Sequence, residues 1–160
     1  MDVQLSKLFI FLFLIAITIT TIGCREGRIY KSHEKLDGNV WYHGQVVTFE
    51  FDIEQDEAQD GILEKTAVFR HSGNFPLHHL DFGVHVIHEN ADTVSFQYHK
   101  PLITQDTAWV GEGMGNLFDV EVPVLEDYDL QPGDYKIVIT NEMQQDLPLV
   151  ASVGFTIYEE

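Results

Sequence analysis

The chain has 160 residues, a formal charge of −17, 44% hydrophobic content and 12% aromatic content. That is one domain's worth of chain with enough apolar residues for a packed core, which excludes wholesale disorder. The acidic excess excludes nucleic acid as a partner, since phosphate backbones are held by clustered Lys and Arg, and it excludes adsorption to anionic lipid through a basic patch.

The first element is Leu8 to Gly23, an apolar run without a charge that ends at Cys24. It is short for a bilayer span, which takes roughly 20 residues, and suits the h-region of a signal peptide. The Gly23-Cys24 ending resembles a bacterial lipobox, which implies removal of residues 1–23 and lipidation of Cys24. Asp2 and Lys7 cancel, so the mature chain keeps the whole charge of −17. Cys24 is the only cysteine, and an intramolecular disulfide is therefore impossible. Residues 24–38 are polar, mixed in charge and without regular periodicity, and are expected to be a tether. They hold no acidic run, and Arg25, not aspartate, follows the cysteine. Both features favour the outer membrane, on its periplasmic side.

From residue 39 to 160 the pattern predicts a β domain. In Val47 to Ile53 the odd positions are apolar and the even ones polar, the mark of a strand with one buried face. Glu54 to Gly61 is an acidic loop, Ile62 to His71 a second strand, and Ser72 to Leu77 a Gly- and Pro-containing break. Leu80, Phe82, Val84 and Val86 alternate on one arm of a hairpin, and Val94, Phe96 and Tyr98 on the other. Both arms point even-numbered residues inward, so paired numbers must add to an even sum. A three-residue loop, Glu89-Asn90-Ala91 with Asn90 or a neighbour left-handed, meets that condition. Val120 to Val124 is a strand that Pro123 places at an edge or ends. Tyr135, Ile137 and Ile139 follow a turn, and Val153, Phe155 and Ile157 form the last strand. Seven or eight short strands with no helical stripe predict an antiparallel β-sandwich, jelly-roll or immunoglobulin-like.

Eight histidines raise the question of a metal. The best constellation is His79, Asp81 and His99 on the outer face of the hairpin, with Asp81 across from His99. It lacks the spacing of any zinc motif, and solvent-facing histidines on an open sheet are the favoured account. The acidic loop fails as an EF-hand, because Ala58 and Ala67 fall on ligand positions. Gly111 to Gly115 lacks the Lys-Ser/Thr ending of a phosphate loop, and a glycine-rich crossing that lets strands approach closely explains it better. No Gly-x-Ser-x-Gly elbow occurs and the cysteine is assigned to lipid, so no nucleophile is at hand. Trp41, Tyr42 and Trp109 could stack on a sugar but are better read as core aromatics. No catalytic residue, cofactor or metal is therefore expected.

Trp109 to Val124, WVGEGMGNLFDVEVPV, resembles the most distinctive segment of the GldH-type family of gliding-motility lipoproteins. Asn39-Val40-Trp41, Asn74-Phe75-Pro76-Leu77 with Leu80, and Met143, Leu147 and Val153-Gly154 fall in that family's order, behind the lipobox. The resemblance implies a lipid-anchored protein of the cell envelope, working beside the gliding and secretion machinery without enzymatic activity or cofactor. A glycan-binding lipoprotein of a nutrient-uptake system is the alternative.

Overall fold

The structure, a computed structural model, describes residues 27–55, 57, 62–106 and 108–159. The signal segment 1–23, Cys24 and most of the acidic loop lie outside them. The described chain forms eleven strands: β1 (Arg28–Lys35), β2 (Val40–Trp41), β3 (Val46–Ile53), β4 (Leu63–Ser72), β5 (His79–His88), β6 (Val94–Pro101), β7 (Glu112–Met114), β8 (Leu117–Pro123), β9 (Gly133–Asn141), β10 (Leu147–Pro148) and β11 (Val150–Glu159). One short 3₁₀ turn, Asp37–Asn39, joins β1 to β2, and no described helix is long and apolar enough to cross a membrane.

A five-stranded sheet in the order β1-β11-β4-β8-β7 packs on a four-stranded sheet in the order β3-β9-β5-β6, and a two-stranded ladder joins β10 to β2. Every pair is antiparallel. Leaving aside β2, β7 and β10, the chain's successive long strands run 1-8-3-6 in one sheet and 2-7-4-5 in the other. That is the strand order of a jelly roll, and it decides between the two sandwich types the sequence allowed.

Alternation works as expected along the inward faces. Val47, Phe49 and Ile53 on β3, Phe82 and Val84 on β5, Ile137 and Ile139 on β9, and Phe155 and Ile157 on β11 are all buried. Each such side chain stabilises the fold by roughly 1.5–3 kcal/mol. Aromatic contacts stitch the sheets together, with Phe69 of β4 against Phe82 of β5 at 4.7 Å between ring centres, and Phe49 against Phe155 at 6.0 Å. Trp41 is fully buried and stacks on Phe69. Asn141, also buried, donates to the Trp41 carbonyl and accepts from the Met143 amide, which fixes the turn after β9.

Two expectations are corrected. The tether predicted over 24–38 is, from Arg28 to Lys35, the edge strand β1, paired along its length with β11. A ladder needs only backbone groups, so an edge strand can form without a period-two pattern. Tyr30 secures it, packing 4.8 Å from the Phe51 ring. The sandwich thus begins before residue 39. The β5–β6 hairpin has the even pairing sum, for instance Phe82 with Tyr98, but the ladder stops at Val86 and Val94. None of Glu89, Asn90 and Ala91 is left-handed. The wider connection, closed by the Ala91 amide on the His88 carbonyl, absorbs the reversal without that strain.

Candidate functional site

Two regions gather the chemically distinctive residues. The first is the outer face of the β5–β6 hairpin. Register places Asp81 opposite His99, Gly83 opposite Gln97 and His85 opposite Ser95, all pointing away from the core. His99 Nδ1 donates to Asp81 Oδ1 at 2.5 Å, and His79 Nε2 lies 3.8 Å from Asp81 Oδ2. The three ligand atoms fall within 4.8 Å of one another, and all three side chains are open to solvent. The constellation inferred from the even pairing sum is therefore assembled.

The sequence did not point to two neighbours on this face. Ser95 Oγ and His85 Nδ1 are 2.8 Å apart, a pair the same pairing sum would have exposed. Glu142 comes from the turn after β9, held by its amide on the Asp81 carbonyl at 3.1 Å. A Cβ added to Gly83 would lie 2.7 Å from Glu142 Oε1, so this glycine makes room for the carboxylate. Asp81's own amide donates to Met143 Sδ. Shallow hollows flank Asp81, one shared with His79 and Glu142 and the other with His99 and Glu142.

The second region is built from Trp109 to Val124. Gly111, at φ 109°, crosses so close to the Asp119 carbonyl that any Cβ would overlap it, and Gly113 lies against the Phe118 ring. These close approaches let β7 pair with β8, as expected of a glycine-rich crossing. Gly115-Asn116 closes the hairpin with positive φ at Gly115 alone, the pattern of a type II′ turn. Met114 and Leu117 at its tip are exposed. Trp109 donates to the Gly73 carbonyl and meets His71 edge-on at 4.7 Å. Trp41 is sealed in the core while Tyr42 is exposed, so the three aromatics form no common platform.

His71 is the polar residue this region hides. It is 2% exposed, its Nδ1 pairs with the Ser72 carbonyl, and its Nε2 has no partner among the described residues. Burial pushes its imidazole below the usual value. Nearby, Arg70 grips Asp119 with two hydrogen bonds of 2.6 Å, and that contact holds the Asp119 carboxyl below the ordinary carboxylate range. Lys65, at the other end of β4, is also buried and donates to the Tyr128 carbonyl, with burial lowering its pKa.

A family model described as GldH lipoprotein matches residues 28–157. No curated protein matches the chain. Among solved structures, a CBM35 from Cellvibrio japonicus Abf62 is similar at 12% identity, covering 85% of this chain and 92% of that one, with a TM-score of 0.38. TmCBM61 in complex with β-1,4-galactotriose is similar at 12% identity over 86% of each chain, at 0.31. The Eiger TNF from S. frugiperda is similar at 10% identity over 79% of this chain and 90% of that one, at 0.33. Scores of this size carry no inference about ligands, and the jelly roll rests on the strand order itself.

Proposed function

Because the chain belongs to the GldH lipoprotein family, we propose that it is a non-enzymatic adaptor or structural component of the gliding machinery. In this proposal lipid on Cys24 holds it in the outer membrane, facing the periplasm. The observation that carries the proposal is the family match, which runs from the first residue of β1 into β11. The exposed β7–β8 tip and the outer edges of β3 and β6, which carry no further strand among the described residues, support it, since such edges and tips accept partner segments. The charge of −17 supports a covalent attachment to the membrane over an electrostatic one.

The test is affinity purification of the lipidated protein from membranes, with identification of what accompanies it. Motility or secretion components are expected; sugar transporters or hydrolases in their place would overturn the adaptor role. Anchoring is tested separately with Cys24→Ser, by metabolic lipid labelling and intact mass. Wild type should carry label and lack residues 1–23, and the variant should do neither. One acyl chain holds only marginally, so the full modification is needed for stable attachment. Label retained in the variant, or an unlabelled wild type beginning at Met1, would refute lipidation.

A further inference from the structure

We propose that His79, Asp81 and His99 form a surface site for one divalent transition-metal ion of the Zn²⁺ class, with Glu142 beside it as a further oxygen donor. Two imidazoles and a carboxylate suit ions of this borderline-soft class better than Ca²⁺ or Mg²⁺, which prefer all-oxygen surroundings. The spacing is close to what coordination needs. Bonds of about 2.0–2.2 Å to nitrogen and oxygen put tetrahedral ligands roughly 3.3 Å apart. The separations here are 2.5 Å and 3.8 Å to the Asp81 oxygens, and none exceeds 4.8 Å. Both imidazoles are exposed, so small rotations of the rings close the difference without moving either strand.

The backbone under the site is fixed independently of any ion. Asp81 and His99 are direct partners in the β5–β6 ladder, and Asp81 is clamped on its other side by Met143 Sδ and the Glu142 amide. Gly83 supplies the second, independent sign. It is a central-strand position without left-handed geometry, and its missing Cβ is the space the Glu142 carboxylate occupies. That places a fourth donor, the second carboxylate, on the same face, lining the hollows on both sides of Asp81. In the metal-free protein His99 Nδ1 hydrogen-bonds Asp81 Oδ1. On binding through Nδ1, the cation takes the place of the Nδ1 proton, which is given up to water while Nε2 takes one from water, so the ring stays neutral and Asp81 turns its oxygen from the imidazole to the ion. The core does not depend on the site, which lies wholly on the outer face.

The experiment is titration of the purified full chain, in detergent and without a histidine tag, with Zn²⁺ alone, followed by calorimetry. One equivalent should bind, and His99→Ala and Asp81→Ala should each weaken it by at least about tenfold. Glu142→Gln should weaken it less. Cu²⁺ electron paramagnetic resonance should show two-nitrogen coupling that falls to one in His99→Ala. Circular dichroism of each variant should match wild type, because the altered side chains are exposed. Undiminished binding in the variants would place the ion on other surface histidines, and no saturable binding would remove the site; either result overturns the proposal.

Discussion

The outer faces of the two sheets point the same kinds of residue outward and treat them differently. On the five-stranded sheet, Ser152, Gly154 and Thr156 of β11 and Val68 of β4 face away from the core yet are buried. The His33 ring of the neighbouring β1 lies directly over Gly154. On the four-stranded sheet, Asp81, His99 and Ser95 stay open to solvent, and only Gly83 is covered, by the flexible end of Glu142. Alternation decides which way a side chain points. Whether it meets water depends on the length of the side chains that adjacent strands place around it.

The largest effect should come from removing residues 28–35, which strips the roof from one face and opens the β11 edge. Loss of the β1 ladder with Ile29 and Tyr30 is expected to cost about 3–5 kcal/mol, read as a drop in the urea midpoint. An unchanged midpoint would make this segment the tether that its composition suggested.

A paired substitution addresses the comparison more directly. Gly154→Val must displace the His33 ring from a central strand and should cost about 1–3 kcal/mol. Gly83→Val displaces only a mobile carboxylate and should cost under about 1 kcal/mol. Equal losses in denaturant titrations would erase the distinction between the faces.

Acid should also act mainly through the five-stranded sheet. Burial lowers the pKa of His71, with the Ser72 carbonyl and Asp119 opposing it. Burial also lowers that of His33, helped by Lys31 and Arg70 and opposed by Asp119. The unfolded chain therefore takes up these protons first as pH falls through about 6.5. Their stability contribution is full above that pH and declines until the folded-state values are passed. Melting temperature should fall between neutral pH and pH 5, and His71→Phe, which keeps an aromatic among Phe75, Trp109 and Phe118, should flatten the slope. An unaltered slope in that variant would remove His71 from the account.

The smallest effect belongs to the Arg70–Asp119 pair, which is partly exposed. Arg70→Met should cost less than about 1 kcal/mol, and less still in high salt. Asp119 is lowered by Arg70, so the pair's contribution is present above about pH 3.9 and is lost as pH falls through the folded value. A double-mutant cycle with Asp119→Asn at pH 7 and pH 3 checks both statements.

The inward faces of β3, β5, β9 and β11 were legible because their apolar residues alternate at the period of a strand, and one buried face imposes that period locally. The facing of Asp81 and His99 was legible as well, since two alternating arms restrict a hairpin to an even pairing sum. Tertiary structure alone decided three other matters. Arg28–Lys35 became β1 because its backbone groups pair with β11, across almost the whole chain, and no side-chain pattern records such a partner. Glu142 came to rest over Gly83 because β9 pairs with β5 and turns beside Asp81, so a carboxylate distant in sequence joins the hairpin's outer face. His71 is buried because Phe75, Trp109 and Phe118 close around an inward position that carries a polar residue, a position that composition alone would assign to the surface. Local alternation reaches only as far as one strand or hairpin, whereas the jelly-roll crossings that bring distant strands together are set by how both sheets bury their apolar faces at once.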